Sequence, residues 1–376
     1  MSKSRCAIFT VSGFCIVLHL VMLEVACQAA PIVELSVPGK TYQGLNVAHN
    51  AEFCWLAARD GTYERIDLAK VTSFRKAGAE FHGQTPASLA GGLRESLGRK
   101  YEVRTRGHFI ICAPAGQAEL FADLVVSVER SFNGYFSRRG WPLVDSPFPL
   151  VVIIYPDRVE FDKACVAVGM PPTSYLRGFY HPQTNRVSLY DQSAEIGIPK
   201  TAASKRDSRP ALDDATRAVI IHETIHQLAF NSGLHQRVGE NPRWVVEGLA
   251  TMLEAGALDS TVRSDSNSRV NVERLQHFQE YRAKRRTGSI VDLVQQDEKL
   301  FQSAPLDFYS EAWAFSFYLS ESRRPDYVKY LKRIASRDPL KSPYSPDERL
   351  ADLQHAFGKD LRWLETQFLR FLDKLE

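Results

Sequence analysis

An α+β fold is predicted, strands leading and helices following, from three observations. Short apolar runs broken by turn residues fill the stretch before residue 114. Beyond it, Pro147-Phe-Pro-Leu-Val-Val-Ile-Ile-Tyr155 reads as one buried strand between two helices. The last third reads as a succession of helices, the last two punctuated by Pro346 and Gly358.

Residues 1–30 read as a leader. Lys3 and Arg5 precede an apolar stretch from Ala7 to Leu23, and small residues follow at Ala26, Cys27, Ala29 and Ala30. Cleavage is expected after Ala29 or Ala30, which sends the chain to the periplasm or the exterior. The stretch is short for a bilayer span and is interrupted by His19, so no stable membrane span is expected after cleavage. Two minority fates are an uncleaved anchor and a lipoprotein at Cys27; against the second, Glu24 stands where such signals carry a leucine-like residue.

Residues 31–113 are expected to form a small β-rich module. Strands are predicted at 33–37, 52–58 and 63–68, the last two joined through Asp60-Gly61, then a helix over 87–97 and a strand over 109–112. Such a module serves either to pack on the rest of the chain or to bind envelope material, and the first is favoured.

Residues 114–376 are expected to form the main domain. A helix is predicted over 117–138, the strand ending at Tyr155, a helix over 159–168, and a hairpin over 177–191 around His181-Pro-Gln-Thr-Asn-Arg186. A polar loop over 197–210 follows. Asp213 and Asp214 offer N-cap oxygens for a helix ending near Phe230, where Asn231 and Gly233 give a stop. Asn241-Pro242 predicts a second start, with a helix from Arg243 to about Ala255. After a polar loop over 260–269 come helices over 272–285, 290–301, 308–320, 327–335, 347–357 and 361–375.

Composition narrows the function. The 376 residues are 44% hydrophobic and 24% charged, enough for a sizeable core. A net charge of +3 does not argue for nucleic acid, and the run from Arg282 through Lys284, Arg285 and Arg286 is expected to be a solvated helix face. The mature chain would keep Cys54, Cys112 and Cys165, so at most one disulfide forms and buried small side chains are expected.

The chemistry lies in His222-Glu223-Thr224-Ile225-His226. Four-residue spacing puts both imidazoles on one helix face, where they can grip a single ion. Glu223 sits about 100° round the helix, placed to serve as a base without being a ligand. Chance alone yields this pentapeptide in roughly one chain of this length in a hundred. A second segment, Trp244-Val-Val-Glu247-Gly-Leu-Ala250, argues against chance, because its helix carries Glu247 back beside the histidines as a third ligand, 21 positions after His226.

His-Glu-x-x-His followed by Trp-x-x-Glu-Gly-Leu-Ala resembles the gluzincin branch of the zinc metallopeptidases, whose third ligand is a glutamate on a downstream helix. The run from His222 to Arg237, the segment from Gly178 to Arg186, and Trp244 to Ala250 are similar to an uncharacterised bacterial family of peptidase-like proteins in that clan. The resemblance implies a zincin-like core (small mixed sheet, active-site helix, helical C-terminal lobe) with one zinc ion held by His222, His226 and Glu247. It implies peptide hydrolysis with Glu223 as general base, and names no substrate beyond a peptide or protein.

Departures from neighbouring patterns matter. A metzincin would carry Gly at Ala229 and His at Ser232. His235, Glu240 and Glu254 are rival ligands; His235 is expected to pack in its loop or lie at the surface, and Glu254, two turns beyond Glu247, to support the site. Thr251 stands where thermolysin-type peptidases place an aspartate, so a partner for the ligand histidine must come from elsewhere. For the oxyanion the candidate is Tyr309, in an aromatic-rich helix where simple packing of the ring is the stronger alternative. Two uses of the 187–190 strand stand equal: an edge that aligns substrate, or ordinary hairpin structure. An inert zincin-fold protein that binds rather than cuts is the alternative function, and the intact Glu223 favours the enzyme.

Overall fold

The computed structural model describes residues 31–141, 143–192, 212–254 and 269–375. The leader and the loop expected over 197–210 lie outside these residues, as does the loop over 260–269 apart from Arg269. The architecture is α+β, with two five-stranded sheets followed by a helical C-terminal region.

The first sheet contains β1 (Pro31–Val37), β2 (Lys40–His49), β3 (Phe53–Ala57), β4 (Tyr63–Asp67) and β5 (Ser73–Glu80), in the order β4-β3-β2-β1-β5. Every neighbouring pair is antiparallel. Its own core is small, built on Val33, Leu35, Cys54, Leu56 and Ile66. The sequence reading missed β2 and β5. β2 buries only Gly44, with Tyr42, Leu45 and Ala48 half-buried and the rest exposed, so its apolar alternation is faint. Gly44 within it marks close approach to β3, since a Cβ there would lie 2.3 Å from the Ala57 carbonyl oxygen.

After α1 (Pro86–Leu97) come β6 (Tyr101–Arg106), β7 (Phe109–Pro114), α2 (Ala118–Ser137), β8 (Leu150–Tyr155), α3 (Arg158–Ala167), β9 (Gly178–His181) and β10 (Arg186–Tyr190). The second sheet has the order β6-β7-β8-β10-β9; β7-β8 and β8-β10 are parallel, and the two outer pairs antiparallel. Both faces of its centre are covered, which is why β7 and β8 read as continuous apolar runs. Phe109, Ile111, Val152 and Ile154 join the main core with α2, while Ile110, Cys112, Val151 and Ile153 pack under Leu89, Ala90 and Leu93 of α1.

This topology corrects two expectations. The strand over 109–112 was assigned to the N-terminal module, yet β7 is hydrogen-bonded between β6 and β8 of the second sheet. The first sheet ends at Glu80, and α1 already packs on the second. The strand over 187–190, expected as a possible edge, is internal: β10 lies between β8 and β9, and among the described residues β9 is the outer strand on that side.

The remaining helices are α4 (Asp214–Asn231), α5 (Arg243–Glu254), α6 (Val272–Tyr281), α7 (Ser289–Gln295), α8 (Asp297–Ser303), α9 (Pro305–Ser322), α10 (Arg324–Ala335), α11 (Pro346–Phe357) and α12 (Leu361–Leu372). α9 is buried along most of its length, with Trp313, Phe315 and Phe317 almost wholly inaccessible, and α5 packs along it. The close crossing depends on Gly248, where a Cβ would lie 2.5 Å from the Ala312 carbonyl oxygen and 2.4 Å from Ser316 Oγ. Among the described residues no helix is long and apolar enough to cross a membrane.

Two side-chain expectations also resolve. Cys54, Cys112 and Cys165 are free and buried, and burial pushes the Cys112 thiol up to about 12. The basic run is not uniformly solvated. The Arg285 side chain is only 4% exposed and lies 2.7 Å from Glu311 and 2.8 Å from Glu365. Two carboxylates from separate helices draw it inward, because a buried charge must be paired.

Candidate metal centre

α4 starts where Asp213 accepts a hydrogen bond from the Thr216 N–H at 2.8 Å, and stops at Asn231 before the positive-φ Gly233. Its interior is apolar on most sides: Ile220, Ile221, Ile225 and Leu228 all enter the main core. That burial fixes the rotation of the helix, and with it the direction of His222, Glu223 and His226.

α5 begins differently from the expected cap. The Asn241 side chain instead ties its own loop, accepting from the Gln236 N–H at 2.9 Å and donating to the Gln236 carbonyl at 2.8 Å. The carboxylate that receives an N–H of the first turn, from Trp244 at 3.4 Å, belongs to Asp297 at the start of α8. Asp297 is buried and paired with Arg349. An acidic side chain suits a helix N-terminus, but one arriving from 53 residues downstream leaves no local signal.

The two helices bring three ligand atoms to one spot. Nε2 of His226 and Nε2 of His222 lie 3.0 Å apart, and Oε2 of Glu247 lies 3.4 Å from Nε2 of His222 and 3.5 Å from Nε2 of His226. One ligand atom from each of the three residues fits within a 4.8 Å span. Glu247 Oε2 is buried and has no hydrogen-bond partner, a costly state for a carboxylate unless a cation completes it. Two imidazoles and one carboxylate are a donor set suited to zinc, and the residues present fit that ion.

The charges of the cluster are strongly coupled. Burial acts to lift the Glu247 carboxyl, but the His226 and His222 rings outweigh it and hold the group far below the usual carboxylate range. Burial acts to pull the His222 ring down; Glu247 and Glu254 together reverse this and hold it well above its ordinary value. Glu223 is displaced upward, chiefly by burial, against the pull of the two histidines. The Tyr180 backbone on β9 acts with the histidines to lower it. A buried carboxyl with a raised pKa beside such a cluster has the properties of a proton acceptor.

The rival ligands separate clearly. Glu254 sits against Nδ1 of His222, the nitrogen that faces away from the cluster, and so supplies the partner that Thr251 does not. Thr251 instead donates to the Glu247 carbonyl at 2.7 Å. Glu240 is engaged elsewhere, accepting from Ser342 Oγ at 2.6 Å and the Tyr344 N–H at 3.0 Å. His235 is buried in the loop after α4, its ring edge-on to Phe230 at 5.1 Å and its Nδ1 3.0 Å from the Leu234 carbonyl. It is not one of the three converging residues, and burial pushes its pKa down to about 3.

Tyr309 lies in the second turn of α9, half-buried, with Phe301 at 5.8 Å edge-on. Burial raises its phenol, and the charges of Glu247 and Glu223 raise it further, so the hydroxyl stays protonated. The structure therefore brings His222, Glu223, His226 and Glu247 together with Tyr309 close by. Sequence reasoning overlooked Tyr180, which acts through its backbone and so has no signature in residue type.

No curated protein matches the chain. Residues 216–341, which take in all five of these site residues, match a family described as "Protein of unknown function (DUF1570)".

Proposed function

We propose that the chain is an exported zinc-dependent peptidase. The observation that carries this reading is the convergence of His222, His226 and Glu247 on one spot, with Glu223 buried beside them. Bound there, a zinc ion would polarise a carbonyl group and lower the pKa of water toward neutrality. Glu223 is the group that accepts the proton of the attacking water and returns it to the leaving amine. Its burial beside the ligand set suits both halves of that transfer. Tyr309 is assigned to stabilise negative charge developing on the carbonyl oxygen, its hydroxyl staying protonated. Substrate backbone would add to the outer edge of β9, whose Tyr180 backbone acts on the Glu223 carboxyl. The exported location rests on the leader over residues 1–30.

The experiment is cleavage of a mixed peptide library by zinc-loaded protein, native and Glu223→Gln. The variant should keep its zinc and lose about 10²–10⁴-fold in rate. Equal cleavage by both, or none by the native protein with its zinc in place, would overturn the reading; the second outcome would favour an inert binding protein on the same scaffold.

A further inference from the structure

The turn that joins β9 to β10 is gripped by one side chain. Arg237, in the loop after α4, donates from Nε to the Pro182 carbonyl at 2.9 Å and from Nη2 to the Gln183 carbonyl at 3.3 Å. The same Nη2 donates to the Gly61 carbonyl at 2.5 Å, in the turn between β3 and β4. Its guanidinium lies 3.7 Å from the centre of the Tyr63 ring. A planar fork with several donors and an aromatic-stacking face can make all these contacts at once, which a lysine cannot.

The N-terminal sheet presses on this grip from the other side. The Tyr63 N–H donates to the Gln183 carbonyl at 2.7 Å. Gly61 has φ +89°, and a Cβ there would lie 3.1 Å from Phe148 and 3.3 Å from the Asn185 side chain, so only glycine fits the contact. Asn185 itself is buried with φ 57°. It accepts from the Tyr180 hydroxyl at 2.9 Å and donates to Asn231 at 3.0 Å, while its carbonyl accepts from Gln227 at 2.9 Å. Gln227 directly follows His226, and the Tyr180 ring packs on Phe230 of α4 at 5.3 Å while its backbone acts on the Glu223 carboxyl.

We propose that Arg237 is a positioning residue, clamping the β9-β10 turn between the N-terminal sheet and α4 so that the β9 edge is held against Glu223. The N-terminal module is then part of the working unit, not a separately acting binding domain. The inference rests on the peptidase reading for its kinetic consequence, but the clamp itself is a structural claim.

The test uses the full mature chain as Arg237→Ala and, as a gentler change on the module side, Tyr63→Leu. Hydrogen exchange of amides over 178–190 should quicken by about tenfold or more in the first and less in the second, with α4 and α12 unchanged. Zinc affinity should stay native, and kcat on the mixed peptide library should fall by about tenfold or more, because a small displacement at the base is costly. Native exchange over 178–190 in both variants would overturn the proposal, and so would equal loosening of hairpin, α4 and α12. If the hairpin alone loosens while the zinc-loaded native protein cuts no peptide, the clamp stands and the peptidase reading falls.

Discussion

The Glu254 carboxylate meets Nδ1 of His222 across the gap between α5 and α4. Glu254 follows Glu247 by two turns on the same face, so in the proposed site one helix would supply both a ligand and the group that orients another. Carboxylates in this position fix the ring and raise its basicity. Glu254→Gln is expected to fold normally and to lose about 10–100-fold in zinc affinity. Competition against a chromogenic chelator measures this, and an unchanged affinity would remove Glu254 from the site.

Zinc should also stabilise the fold. An ion that binds only the native state adds about 2.7 kcal/mol at a hundred times its Kd. Thermal melts of the native chain should shift upward with added zinc, and those of Glu247→Ala should not. A shift of equal size in both would mean that the ion binds elsewhere.

Arg285 and Arg286 are adjacent in one basic run but should behave oppositely. Arg285→Ala would strand Glu311 and Glu365 in the interior, an expected loss of about 3–5 kcal/mol. Arg286 is exposed, and its replacement should change stability by about 0.5 kcal/mol or less. Urea denaturation of the two variants decides the matter.

His235 predicts an acid-sensitive step. It is buried with its pKa down to about 3, so the unfolded chain binds a proton below about pH 6.5 that the folded chain refuses. Stability is therefore fully present above the unfolded value and drains away as pH falls through the window from about 6.5 to 3, by about 2 kcal/mol at pH 5. Denaturation midpoints between pH 7 and 5 should show this slope, and His235→Gln should flatten it.

Much of the site was legible because its spacing is local. His222, Glu223 and His226 lie within five residues, and Glu247 follows on a helix whose apolar stripe announces itself. What could not be read depends on long-range pairing. That β9 and not β10 is the outer strand among the described residues follows from the insertion of β10 beside β8, a choice no local pattern encodes. The cap on α5 comes from Asp297, and the burial of Arg285 comes from Glu311 and Glu365, all remote in the chain. β2 was missed for a different reason: it is largely exposed and polar, so the burial that marks a strand is absent from its composition.

Gly248 gives α5 an unusual mutational signature. It adjoins Glu247, yet its Cβ position is already filled by the backbone of Ala312 and the hydroxyl of Ser316. In a saturation screen the two neighbours should fail in different assays: replacements at 248 should deplete soluble protein, and replacements at 247 should leave protein levels near normal while emptying the metal site. Position 248 thus reports on assembly and position 247 on chemistry, one residue apart.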